Sequence, residues 1–287
     1  MFPSAFNERH GDFMKTPHFI KIFGYMYQLN IRNFRAYKRP VLKPKAEAII
    51  ENSVHWVGHA TTVINLEGKI IVTDPVMGNL GYIKRLITSD LDLKSIHIDY
   101  LLLTHGHMDH FNYRTLSLIN KDVVVIIPRG MKTGLKLHGF KNIVILKSND
   151  VYKDIDIEIK CIKAQHEGNR YPFVGYRDSN SYLISSCNKS VFFAGDTANT
   201  NIYDGLKSDV AIMPVGCYKP DDFLRMHCSP EQSFNMFKRM DSKLMLPIHY
   251  KTYILSQDDD AETAATLEEL NDGSMEIIDV GQTIVIK

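Results

Sequence analysis

With 287 residues, 34 basic side chains against 33 acidic ones and a formal net charge of +1, the chain can bury a substantial core and has the composition of an ordinary globular protein. That balance lacks the basic footprint of a nucleic-acid-binding protein. The first ten residues carry no basic start and apolar run of a secretory signal, and no apolar stretch approaches membrane-spanning length, so a cytoplasmic protein is expected. Cys161, Cys187, Cys217 and Cys228 form no C-x-x-C pair, which argues against a zinc ribbon and fits a reducing compartment.

Residues 13–46 contain no acid, while Lys15, Lys21, Arg32, Arg35, Lys38, Arg39, Lys43 and Lys45 alternate with Phe13, Phe19, Phe23, Tyr25, Tyr27, Phe34 and Tyr37. The simpler expectation is a segment that wraps the following domain, its aromatics in the core and its charges in water. The alternative is a peripheral contact of residues 13–46 with an anionic membrane surface. Pro40 and Pro44 close the segment and divide a basic, aromatic extension (1–50) from a main domain (51–287).

The main domain opens with β-rich runs at 55–66 and 69–75 around Glu67-Gly68, which predict a hairpin. Asp74 stands at its end before a proline, placed to cap a turn or to accept the second N–H of a metal-bound histidine. Residues 98–103 read as a buried strand that delivers Thr104-His105-Gly106-His107-Met108-Asp109-His110 to a loop. Imidazole and carboxylate are ligands that zinc, manganese and iron accept. His105 and His107 can converge on one cation while Asp109 and His110 turn toward a second.

Further on, a short helix at 113–119, a strand at 123–127, a helix at 131–137 stopped by Gly139, and strands at 143–145 and 157–162 predict a layered α/β domain. His166 follows the last of these strands, Asp196 follows an apolar strand at 190–194, and His249 ends one at 243–248. Each candidate ligand thus falls where a buried strand runs out. Ser229-Pro230-Glu231-Gln232 marks a helix start with a serine cap, and His227 lies in the loop just before it. The run Asp258-Asp259-Asp260 is expected to favour the N-terminus of a helix at 261–270, and residues 275–279 and 283–286 to form a closing hairpin about Gly281.

Taken together, Trp56-Val57-Gly58-His59-Ala60-Thr61, Thr73-Asp74-Pro75-Val76, Thr104 through His110, Ala164-Gln165-His166, Phe193-Ala194-Gly195-Asp196-Thr197, Pro214-Val215-Gly216-Cys217-Tyr218-Lys219-Pro220, Met226-His227, Pro230-Glu231 and Ile248-His249 resemble the metallo-β-lactamase superfamily. Within it they are similar to the branch typified by N-acyl-phosphatidylethanolamine-hydrolysing phospholipase D. The resemblance implies a four-layered αβ/βα sandwich with two divalent metal ions at one edge of the sheets, zinc foremost, with manganese or iron as alternatives. It implies His105, His107 and His166 on one metal, Asp109, His110 and His249 on the other, and Asp196 bridging them. The implied activity is hydrolysis by a metal-bridging hydroxide, most directly of a phospholipid-like or other phosphodiester. A lactonase of the ascorbate-6-phosphate lactonase type and a non-hydrolytic binding or sensing protein are the alternatives.

Asp109 and His227 are the candidate catalytic residues, His227 as a proton or hydrogen-bond donor to substrate. His59 is expected to satisfy polar groups beneath the site, and Tyr218 and Lys251 to contact substrate because they adjoin motifs. Two departures matter: Tyr250-Lys251 stands where the family often carries Trp-Gly, and Asp221 where it often carries arginine. Phospholipid specificity therefore does not transfer with the ligands, and the oligomeric state, a homodimer included, stays open.

Overall fold

The computed structural model describes residues 18–169 and 178–287, and in it two mixed sheets face one another. The first is built from β1 (Ser53–Gly58), β2 (Thr61–Leu66), β3 (Lys69–Thr73), β4 (Tyr100–Leu102), β5 (Val124–Ile127) and β6 (Asn142–Ile145). The second comprises β7 (Val151–Lys153), β8 (Glu158–Lys163), β9 (Asn180–Ser185), β10 (Ser190–Phe193), β11 (Lys207–Pro214) and β12 (Asp241–Ile248). A last strand, β13 (Thr283–Val285), returns to the first sheet, giving the orders β13-β1-β2-β3-β4-β5-β6 and β12-β11-β10-β9-β8-β7.

Near-continuous apolar strands follow from burial on both faces. In β4 and β5, Leu102 and Ile126 point into the core between the sheets, while Leu101, Val125 and Ile127 join a second core with Leu116 and Leu135. Those two leucines come from α2 (Tyr113–Leu116) and α3 (Lys132–Leu137), which cover the first sheet from outside. The second sheet is covered by α4 (Pro230–Arg239), which packs on β11 and β12, and by α5 (Asp260–Leu270), which packs on α4. Helix, sheet, sheet, helix is the four-layered sandwich. The capping box at Ser229 and Gln232 is present as expected.

Three expectations are corrected. The run at 55–66 is not one strand but two, because Gly58 and His59 take φ of 119° and 54° and reverse the chain between β1 and β2. At the C-terminus there is no hairpin: Met275 makes only an isolated bridge to Met245, and β13 pairs antiparallel with β1. The tail thus crosses from the edge of the second sheet to the edge of the first.

The third correction concerns the N-terminal segment, of which residues 13–17 lie outside the described residues. The rest is mostly helix α1 (His18–Ala36), and of the aromatics whose side chains are described only Tyr25 is half-buried, edge-on to Phe223. Leu29, Asn33 and Ala36 form the buried face, at helical spacing, whereas Phe23, Tyr27 and Phe34 are 76%, 63% and 71% exposed. The helix is pinned by Arg32, which donates to the carbonyls of Ser256 and Asp258, and by Asn33, which donates to that of Ile254.

Candidate metal centre

Within each sheet, the strands that precede the candidate ligands run the same way. β1, β3 and β4 deliver His59, Asp74 and the 105–110 loop; β8, β10, β11 and β12 deliver His166, Asp196, Cys217 and His249. All these residues follow carboxyl ends, so one rim of the sandwich collects them, as open α/β sheets collect their sites. Close approach is needed here. A Cβ on Gly216 would collide with the His249 carbonyl, and one on Gly195 with the Thr104 side chain.

Seven side chains named from the sequence meet at this rim. His105 Nε2 and His166 Nε2 lie 3.0 and 3.2 Å from His107 Nδ1. His110 Nε2 is 3.3 Å from His249 Nε2, and Asp109 Oδ2 lies 3.5 and 3.7 Å from these two nitrogens. Asp196 stands between the two groups: Oδ2 is 3.1 Å from His110 Nε2 and 3.8 Å from His105 Nε2, and Oδ1 is 3.0 Å from His249 Nε2.

The far side of each ring decides what these short distances mean. Thr104 Oγ1 donates to Asp74 Oδ2 at 2.6 Å, so the same oxygen accepts from His105 Nδ1 at 2.9 Å. His110 Nδ1 donates to Asp74 Oδ2 at 2.8 Å, and His166 Nδ1 to the Met226 carbonyl at 2.8 Å. With Nδ1 carrying the proton, each of these rings turns an Nε2 lone pair toward the cluster. Asp196 is buried, and neither of its oxygens receives a hydrogen bond despite nitrogens at 3.0 and 3.1 Å. Lone pairs facing lone pairs in a dry cavity are unfavourable unless a cation lies among them. The donor set of imidazoles and carboxylates fits a divalent transition ion.

Electrostatics agree. Burial, helped by the neighbouring imidazoles of His110, His166 and His107, holds His105 well below the ordinary histidine range, and burial pushes His166 down to about 4. Burial alone would also lower His110 and His249, but the acidic groups around them, Asp196 first, outweigh it and raise both well above that range, so that where no cation lies among these groups a proton on Nε2 takes its place. The cluster therefore draws positive charge toward Asp109 and Asp196.

The remaining expectations divide. His59, 2% exposed, places Nε2 3.0 Å from Asp109 Oδ2 and so fixes that carboxylate from beneath. His227 reaches the cluster, its Nδ1 3.7 Å from Asp196 Oδ2 and without a hydrogen-bond partner. Tyr218 and Lys251 are corrected: the Tyr218 hydroxyl lies 3.2 Å from Thr263 Oγ1, and Lys251 Nζ 2.9 Å from Asp279. His249 and Lys251, with φ of 71° and 65°, turn the chain sharply here, and the lysine ends over the Tyr250 ring instead of over the centre.

Sequence reasoning also missed a support. Asp258 accepts the backbone N–H groups of Cys217, Tyr218 and Lys219, and Asp260 accepts that of Lys251, so two acids read as helix-terminus charge pin the loops after β11 and β12. Only Asp259 caps α5. The signal was the length of the run, since one capping carboxylate suffices for a helix. Cys217, in the left-handed region at φ 64°, comes within ligand distance of His227 and His249.

The sequence profile of the family described as "Beta-lactamase superfamily domain" matches residues 69–250, from β3 to just past His249. The chain belongs to this family. It is a metal-dependent hydrolase of the metallo-β-lactamase superfamily. Among its relatives are the N-acyl-phosphatidylethanolamine-hydrolyzing phospholipase D 1 of Caenorhabditis elegans, 27% identical across 79% of this chain and 74% of the relative, and a UPF0173 metal-dependent hydrolase of Anoxybacillus flavithermus, 28% identical across 79% and 96%. The β-lactamase superfamily fold recurs in the isothiocyanate hydrolase from Delia radicum gut bacteria, at a TM-score of 0.69 and 18% identity over 81% of this chain and 98% of that one. It recurs also in a metallo hydrolase of Ignicoccus hospitalis, at 0.59 and 20% over 81% and 97%.

Proposed function

We propose that the chain is a dinuclear phosphodiesterase, with His105, His107 and His166 holding one divalent cation, Asp109, His110 and His249 the other, and Asp196 both. The observation that carries this reading is the convergence of tautomer-fixed Nε2 atoms on a buried carboxylate that receives no hydrogen bond. Two such cations, zinc being the fitting occupant, supply Lewis acidity and lower the pKa of a water toward neutrality. Asp74 and Thr104 keep His110 and His105 facing inward. Burial pushes His227 down to about 3, so it is neutral in use and serves as a hydrogen-bond donor to a phosphoryl oxygen, not as a store of protons. Similarity to the worm phospholipase D favours a phosphodiester over a lactone.

Metal analysis followed by a panel of phosphodiester, lactone and thioester substrates tests the reading. Two metal equivalents and turnover of bis(p-nitrophenyl) phosphate are expected, lost on chelation and restored by zinc or manganese. Preferential lactone turnover would reassign the chemistry.

The exposed aromatics of α1 favour a second proposal, peripheral contact with an anionic bilayer. Phe23, Tyr27 and Phe34 present rings to solvent beside Arg35, Lys38 and Arg39, and no described helix is long and apolar enough to cross a membrane. Co-sedimentation with anionic vesicles that weakens as salt rises is the expected result, and equal pelleting after replacement of the three rings with serine would exclude the contact.

A further inference from the structure

We propose that the cleft beside His166 binds a phosphate monoester of the substrate, separate from the bond that is cut, so that the natural substrate is a small water-soluble molecule carrying a second anionic group. The inference deepens the proposed function and rests on His166 belonging to the metal centre. The cleft has a volume of about 740 Å³ and is lined by His166 itself and by Met226, whose carbonyl holds that ring. This is ample room for a sugar phosphate. Among its described lining residues only Ala164 and Met226 are apolar, and a lining of this polarity suits a water-soluble substrate better than an acyl chain.

Charge identifies the occupant. Four cations are among the described residues that line the cleft: Arg129, Lys147, Lys163 and Arg225. Arg129 is already paired, its Nε and Nη2 2.5 and 3.1 Å from the Asp178 carboxylate. Lys147, Lys163 and Arg225 have no carboxylate partner among the described residues, and Glu167 is the only other acid among the described lining residues. In a chain of 34 basic and 33 acidic residues this is a local excess, and three like charges lining one cleft repel one another until an anion lies between them. A phosphate monoester offers close to two negative charges and three acceptor oxygens, which matches three cationic donors better than a single carboxylate does. Held there, it would fix the substrate's orientation relative to the centre.

The test is calorimetric titration of the metal-loaded full-length protein with fructose 6-phosphate and fructose 1,6-bisphosphate, a pair differing by one phosphate. In the wild type the bisphosphate is expected to bind roughly tenfold more tightly, with the preference shrinking as salt rises. Lys147→Glu/Lys163→Glu is expected to abolish the preference at unchanged metal content, and Arg225→Ala, at the end of a separate short 3-10 helix (Asp221–Arg225), to lose part of it. Equal affinities in the wild type, or a preference that survives charge reversal, overturns the proposal. Vesicles of phosphatidic acid are expected to leave the bound sugar in place; displacement by them overturns the assignment to a soluble substrate. Turnover of bis(p-nitrophenyl) phosphate by the same preparations reports on the hydrolase reading separately, because that ester carries no second phosphate.

Discussion

At the metal centre, the rings of His105, His110 and His166 each give the nitrogen that faces away from the cluster a fixed acceptor, and His59 braces Asp109 from below. Helix α1 is held differently, by Arg32 and Asn33 on three loop carbonyls, and leaves Phe23, Tyr27 and Phe34 in water. The difference follows from what each region must hold. Donor atoms set some 3 Å apart repel until a cation arrives, so their positions must be fixed in advance by a rigid surround. A helix that packs by the narrow stripe of Leu29, Asn33 and Ala36 needs only to be oriented.

The contrast breaks most completely at Asp196. Asp196→Ala removes the only carboxylate among the described residues that lies between the two groups of nitrogens, and His107→Ala removes one of the three nitrogens of its group. Both variants are expected to fold, since they relieve a buried charge or remove a half-buried ring instead of opening the core, and to lose turnover and bound metal together. Circular dichroism, metal analysis and turnover of bis(p-nitrophenyl) phosphate check this, and full activity in either variant refutes the ligand assignment. One shell outward the effect is expected to shrink: Asp74→Asn retains the shape but weakens the acceptor for His110 and Thr104, and a loss of roughly 10–100-fold in metal affinity or activity should appear in metal titrations.

Legibility in the sequence follows the same division. The 105–110 motif and the placement of His166, Asp196 and His249 at strand ends were readable because each depends on a few consecutive residues. The pairing of β13 with β1, more than two hundred residues apart, was not, and residues 275–279 have the alternation of a strand without a partner to make them one. The polar alternation of β9 concealed a strand buried in the second sheet, and α1 was hidden because its aromatics break the apolar stripe that usually marks a helix. Tyr218 and Lys251 show the converse error: adjacency to a motif says nothing about direction where the chain turns through positive φ, as it does at Cys217 just before Tyr218 and at Lys251 itself.

Between the two regions lies Asp258, which links them. It accepts three N–H groups from residues 217–219, while its own carbonyl accepts from Arg32 of α1. Asp258→Ala would leave those donors unpaired in a half-buried loop, so a stability loss of about 2–3 kcal/mol is expected in urea denaturation, with reduced activity because Cys217 and His227 border the centre. A loss of stability without loss of activity would show the loop to be independent of the site.

The smallest expected effect comes from the exposed face of α1. Replacing Phe23, Tyr27 and Phe34 with serine removes rings that are more than 60% exposed, so neither the core nor the Arg32 and Asn33 contacts change, and stability should move by no more than about 0.5 kcal/mol per site. Turnover of a small soluble ester should stay at the wild-type level, whereas binding to anionic vesicles should fall. If stability instead dropped by several kcal/mol, these rings would be packed in solution against something the folded monomer does not supply, and a second copy of the chain would be the first occupant to seek by sedimentation. Unchanged stability with lost vesicle binding is the outcome that sets α1 apart from the centre, as a segment whose apolar residues serve contact with a surface and not the fold.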